Sequence, residues 1–342
     1  MFDFKADTEF DIIGMGEVML RLSSPARETL SRSSSFIKNA GGSELNVVSG
    51  VSMLGGRGGL ITKLPESKLG TYIRNKIRSG NVSDDFVIYD ESEQKRLGIY
   101  YYECGAYPRK SSVIYDRELS SMNSLKLSEI NKNVFSSAKV FHVSGITMGL
   151  SNKMALLTYE VIKCFKENGA KISFDVNYRE SLWSEESARR TIEGILPFVD
   201  FLFVSEETSR RMFGKTGELK SIMSEYCKSY GCSLVASTIR HVVSPTKHNF
   251  SSAIYCENKL YMTNPYEGID IIDRIGSGDA YVAGVLYGLI IENDIQKALQ
   301  YGNALSALKN TVSGDMAGFS LDEVDSVIKA HNSNGIKSEM ER

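Results

Sequence analysis

The 342-residue chain has no surplus of either charge: 40 Lys and Arg stand against 42 Asp and Glu, a net of -2. Nucleic acids and anionic membranes usually demand a basic excess, so neither is expected as a partner. No apolar run is long enough to span a bilayer; the longest, Ala280 to Ile291, contains Tyr and Gly. The basic-then-apolar plan of a secretory leader is missing from Met1-Phe2-Asp3-Phe4-Lys5. Cys104, Cys164, Cys227, Cys232 and Cys256 are odd in number and show no CxxC spacing. They read as reduced thiols of a cytoplasmic protein. Four scattered histidines form no HExxH, which argues against a transition-metal enzyme. A Walker loop, GxxxxGK[ST], is also absent, so any ATP site is of another type. There is no internal repeat or low-complexity tract, and the polar tail Asn332 to Arg342 is expected to fray.

What is present is an alternation of strand-like and helix-like segments. Asp11 to Gly16 reads as a buried strand ending on glycine, Ser43 to Leu54 as a helix, Gly59 to Lys63 as a strand and Lys68 to Ser79 as a helix. Strands follow at Lys139 to Ser144, Lys171 to Val176, Phe201 to Val204 and Ser233 to Thr238, with a helix at Asn152 to Asn168. The last third is helical: Gly278 to Glu292, Ile295 to Thr311, and a helix opened by the Ser320-x-x-Glu323 capping box. This predicts an α/β fold with a mainly parallel sheet covered on both faces, and a ligand site beyond the strands' carboxyl ends. From 86 to 117 the pattern breaks into Tyr-, Ile- and Val-rich segments around a turn with Gly105, Pro108, Arg109 and Lys110. That stretch reads as a small β-sheet flap over a cleft or, more plainly, as an edge hairpin.

The most informative stretch is Asp273-Arg274-Ile275-Gly276-Ser277-Gly278-Asp279. A glycine turn runs into a helix start, where free amides favour an anion. A carboxylate there suits a base that takes a proton from a hydroxyl while the amides hold the phosphoryl group it attacks. An ordinary capped helix is the plain alternative. Gly41-Gly42-Ser43-Glu44-Leu45-Asn46 repeats the glycine-to-helix theme, with Ser43 expected as the N-cap and Asn46 one turn on. Asp175, Asn177 and Arg179 follow an apolar strand, where Arg179 is placed either to fork onto a carboxylate or phosphate or to brace the loop. Glu206 and Glu207 follow another strand and suit either a hydrated magnesium ion or a helix's first turn. Thr238 and Arg240 end a further strand, at a place that could border a nucleotide.

Together these residues resemble the ribokinase-like (PfkB) family of sugar kinases over nearly the whole chain. The Asp273-to-Asp279 text fits the C-terminal signature, Gly41, Gly42 and Asn46 the N-terminal one, and the β insertion stands where the family keeps a lid. Within the family the chain is most similar to 2-keto-3-deoxygluconate kinases, through Glu17, Tyr100 to Glu103, Val113 to Arg117, and Asp175 to Arg179 with Leu182-Trp183. The resemblance implies a three-layer sandwich, one kinase domain over 1–342, and a lid made of 86–117 with parts of 17–40. It also implies transfer from ATP, with Mg²⁺ and possible monovalent-cation dependence, to the terminal hydroxyl of a sugar acid. By the same resemblance Asp279 is the base, with Gly276, Ser277 and Gly278 the anion hole. Gly42, Asn46, Tyr101 and Arg179 contact substrate. Asn177, Thr238, Arg240 and Asn303 border the nucleotide, and a homodimer through the lids is implied by tyrosine-rich strand edges.

Three departures stand out. Ser205-Glu206-Glu207-Thr208 replaces an Asn-x-x-Glu magnesium motif, so the acidic role passes to Glu206 or Glu207. Glu103 stands where some relatives have Arg, which makes Arg109 the candidate for the substrate carboxylate. Thr238-Ile239-Arg240-His241 replaces a glycine-containing turn beside ATP. A fructokinase-like enzyme, a non-catalytic sugar sensor, and a dinucleotide oxidoreductase suggested by Gly14-x-Gly16 are the competing readings; the last lacks its third glycine at Met19.

Overall fold

The computed structural model describes residues 2–25, 28–106, 108–244 and 246–333. The tail from 334 onward therefore lies outside the described residues, so its expected fraying does too. Strands alternate with helices as the periodicity predicts, and they join into one large sheet. From one edge the order is Lys259–Met262, Lys247–Cys256, Leu234–Ser244, Phe201–Phe203, Lys171–Asp175, Ala138–Ser144, Phe10–Met15, Gly58–Pro65 and Val82–Ser83. Neighbours from Leu234–Ser244 onward are parallel, whereas Leu234–Ser244 and Lys247–Cys256 pair antiparallel.

Because side chains alternate across a strand, each strand feeds two cores. Ile12, Leu60, Val140, Phe201 and Leu234 join one core; Ile13, Ile61, Phe141, Leu202 and Val235 join the other. The first core lies under the Ser43–Met53, Lys68–Ser79, Ser277–Ile290, Ile295–Asn310 and Leu321–Asn332 helices. The second lies under Asn152–Glu167, Glu185–Ile195 and Leu219–Tyr230. The result is a three-layer α/β sandwich. Lys68–Ser79 shows the local logic. Ser67 caps it by accepting from the Gly70 amide at 3.1 Å, and Gly70, Ile73 and Ile77 form its single buried stripe.

From Ala280 onward the Ser277–Ile290 helix is buried all round, between the Ser43–Met53 and Ile295–Asn310 helices, and is apolar to match. A Cβ at Gly288 would come within 2.3 Å of the Ala298 backbone, so only glycine permits this helix approach. The tight packing sets where the helix N-terminus, and hence Asp279, sits.

Four strands form a separate small sheet in the order Ile37–Gly41, Met19–Ser23, Ile99–Glu103, Ser112–Asp116. The expected lid boundary at Phe86 is corrected. Val87–Asp90 pairs parallel with Thr62–Pro65 at the main sheet, and the flap strands begin at Ile99. Three helices, Gly145–Gly149, Glu185–Ile195 and Leu219–Tyr230, escaped the sequence reading.

Candidate active site

The floor of the cleft is the start of the Ser277–Ile290 helix. Gly276 caps it in the left-handed region at φ 82°, and a Cβ there would lie 1.9 Å from the Asp315 carbonyl. No other residue fits that position. One helical turn in, Asp279 is held by two side chains of the Ser43–Met53 helix. Ser43 Oγ donates to Oδ1 at 2.8 Å and Asn46 Nδ2 donates to Oδ2 at 2.7 Å. Ser43 is thus the first helical residue rather than the expected N-cap; Gly42 takes that place and frees the hydroxyl. Asn177 Nδ2 donates to Ser43 Oγ at 3.0 Å, which extends the network to the end of the Lys171–Asp175 strand.

Burial raises the Asp279 carboxyl above its ordinary value, against the lowering effect of the bonds from Asn46 and Ser43 and of the Arg179 and Lys309 charges. At Asp175, burial first, and the Asp279 charge second, push the carboxyl up to about 7. Two carboxylates that compete for charge therefore face one space.

That space has two compartments joined at Asp175, Asn177, Arg179 and Gly278. The larger, about 380 Å³, lies between the floor and the small sheet and is lined by Gly42, Asn46, Tyr100, Tyr115, Arg117 and Asp279 among others. Asn46 Oδ1 is buried without a hydrogen-bond partner, an acceptor available to a ligand hydroxyl. The smaller, about 240 Å³, runs along Val204, Ser205, Thr208, Ala236 and Thr238. Arg240 and Arg274 add positive charge to the wall of the larger one.

A buried ion cluster ties the small sheet to the floor. Arg21 donates to Asp273 Oδ2 at 2.6 Å and Asp315 Oδ1 at 2.7 Å, and its guanidinium lies 4.4 Å from the Tyr102 ring centroid. The Tyr100 hydroxyl donates to Asp315 Oδ2. Asp273, the first residue of the glycine signature, is therefore a brace, and its Oδ1 also accepts from the Ile275 amide at 3.1 Å.

A glycine turn opening a helix onto a paired acid, under a four-strand sheet, is matched by a family model. Residues 10–321 match the pfkB family carbohydrate kinase model. The chain belongs to the pfkB family of carbohydrate kinases. It is 33% identical to a 2-dehydro-3-deoxygalactonokinase of Haloferax volcanii, over 93% of this chain and 96% of that protein. It is 31% identical to the crystal structure of a 2-dehydro-3-deoxygluconokinase from Thermotoga maritima, with a TM-score of 0.89 over 94% of this chain and 98% of the other. A putative ribokinase II from E. coli, solved with ATP and Mg²⁺, shares the fold at a TM-score of 0.82 and 19% identity, covering 94% of this chain and 100% of that one.

For a pfkB kinase, the structure gathers Gly42, Asn46, Asn177, Arg179, Thr238, Arg240 and the Gly276-to-Asp279 run at one cleft. Other expected site residues lie outside the cleft lining. Tyr101 lies away from the cleft: strand alternation turns Tyr100 and Tyr102 inward and leaves Tyr101 against Phe36, with ring centroids 6.0 Å apart. Arg109 pairs with Glu103 within the flap, which takes it out of the cleft wall. Asn303 is buried, its amide engaged by Ser252 and Thr263, and it lines neither compartment. Glu206 and Glu207 stand in the first turn of Glu206–Arg211, pair one turn on with Arg210 and Arg211, and line neither compartment.

Among the described residues no three His, Cys, Asp or Glu side chains group as a metal cage. Sequence reasoning missed Tyr100, Asp315 and the Arg117 pairing with Glu17, all contacts between segments far apart in the chain. Asp175, which the sequence reading set just past its strand, is the last residue of Lys171–Asp175 and lines both compartments.

Proposed function

We propose that this kinase transfers the γ-phosphoryl group of ATP to the terminal hydroxyl of a sugar acid, of the 2-keto-3-deoxygluconate or -galactonate type. The observation that carries the reading is Asp279, oriented by Ser43 and Asn46 one turn into a helix whose glycine-rich start faces the same cleft. The sugar occupies the larger compartment, with Gly42 and Asn46 against its hydroxyls. The nucleotide follows Asn177, Thr238 and Arg240 so that its terminal phosphate meets Arg179 and Gly276 to Gly278. Asp279 takes the proton as the sugar oxygen attacks phosphorus; the bond to the ADP oxygen breaks in line, and the helix amides stabilise the developing charge.

The donor set fits a triphosphate: backbone amides, a glycine start and three arginines. Mg²⁺ would come coordinated by phosphates and water, in keeping with the lack of a dedicated cage among the described residues. With Arg109 turned to Glu103 and Arg179 beside the phosphates, the substrate carboxylate falls to another cation lining the larger compartment, such as Arg117. The names of the Haloferax volcanii and Thermotoga maritima relatives support the sugar-acid class and differ in epimer. The exposed edges of the small sheet would carry a homodimer.

The test is ATP consumption with Mg²⁺ on 2-keto-3-deoxygluconate, its galacto epimer, fructose and ribose, with Asp279→Asn in parallel. The expected result is turnover on a keto-deoxy acid that falls about 10²- to 10⁴-fold in the variant, with KM little changed. Turnover on neutral sugars alone would overturn the sugar-acid assignment.

A further inference from the structure

One buried charge beside the floor has no part in the chemistry above. Lys309, in the last turn of Ile295–Asn310, is fully buried. Its ammonium donates to two main-chain carbonyls, Asp273 O at 3.1 Å and Val312 O at 3.3 Å. Those oxygens belong to the two segments that make the floor: the 273–279 loop, and the 310–315 turn against which Gly276 is pressed. The same helix end adds neutral bonds. Asn310 O accepts from the Ile272 and Asp273 amides at 2.8 and 3.2 Å, and Ser306 Oγ donates to Ser277 O at 2.9 Å.

Neutral donors would be enough for packing, and a buried ammonium is costly to keep. Its charge has a local use. Arg21 and Lys309 together balance Asp273 and Asp315; without Lys309 the cluster would be one charge negative, with Asp279 beside it.

We propose that Lys309 is a positioning residue for phosphoryl transfer, a cation built into the chain that clamps the glycine loop to the 310–315 turn. This rests on the kinase reading above. The groups that act on Asp279 are Ser43, Asn46, Arg179 and Lys309, with Asp175 coupled to it and Glu44 behind Asp175. Those that act on Lys309 are Asp273, Asp315, Arg21 and Asp279. The Lys309 charge favours the carboxylate of Asp279, so its loss makes that carboxylate harder to form.

Lys309→Met should lower kcat roughly 10²-fold by letting the loop drift, with sugar KM unchanged. It should also move the acidic limb of the kcat–pH profile to higher pH. Lys309→Gln keeps a donor without the charge and should show the same displaced limb even if the Met variant fails to fold. Lys309→Ala should regain turnover when ammonium or methylammonium is added. Hydrogen exchange at the amides of 274–279 reads the clamp without reference to activity; it should quicken in Lys309→Ala and slow again with ammonium. Variants that keep the wild-type kcat, acidic limb and exchange rates overturn the proposal. So does a loss of activity with no displaced limb, no amine rescue and no change in exchange. If the wild-type protein consumes no ATP with any sugar, the kinase reading fails. The exchange experiment with ammonium then decides the clamp by itself.

Discussion

At the scale of single residues, the cleft concentrates charge where water is scarce, and Asp175 shows the consequence. Its carboxyl in the folded protein is pushed up to about 7 from an ordinary 3.8. Between those values the folded state binds more protons than the unfolded chain, so stability falls as pH rises from about 4 to about 7 and then levels off. Asp175→Asn removes that penalty. Urea melts should show the variant no more stable than wild type near pH 4, and more stable at pH 8 by something on the order of 1–3 kcal/mol. A stability difference that does not vary between pH 4 and pH 8 would rule out this account of Asp175.

At the scale of elements, the site is the meeting of two helix starts, Ser43–Met53 and Ser277–Ile290, held to a strand end and a small sheet. Gly276 is the most constrained point, since it combines a positive φ with backbone contact from the 310–315 turn. Gly276→Ala adds strain of about 1–3 kcal/mol and displaces the anion-binding amides. The expected result is a kcat lower by roughly 10²- to 10³-fold, with Tm reduced, and nucleotide consumption alongside calorimetry reads both. A variant with normal kcat would show that the turn does not hold the transferring group.

Much of this level was legible in the sequence because it is local. Helix bounds such as Lys68–Ser79 follow from capping and periodicity, and glycines ahead of a helix mark a place for close approach. Three other features depend on contacts no local pattern contains. Whether Tyr100 or Tyr101 turns inward depends on strand phase in an all-tyrosine run. Arg109 is withdrawn from the cleft by Glu103, and Arg21 finds Asp273 some 252 positions away. The Lys247–Cys256 ribbon was missed because it pairs antiparallel in a chain that otherwise announces parallel units.

At the scale of the whole molecule, the small sheet is the least self-sufficient part. Its two edges, Ile37–Gly41 and Ser112–Asp116, carry unpaired strand positions, and Phe36, Ile37, Ile114 and Tyr115 are 45%, 47%, 57% and 41% exposed. Exposed apolar strand edges invite a second copy, and a twofold arrangement would cover both at once. Tyr115 also lines the larger compartment, with its ring centroid 5.9 Å from that of Tyr100, so covering this sheet would steady the roof of the proposed sugar site. Light scattering should therefore give a dimer at micromolar concentration, and Ile114→Asp, at a residue that lines neither compartment, should give a monomer. If the roof depends on the partner, that monomer should bind sugar with a raised KM while its KM for ATP changes little. A wild-type monomer would remove the interface, and a monomeric variant with unchanged sugar KM would leave the dimer without a role in the site.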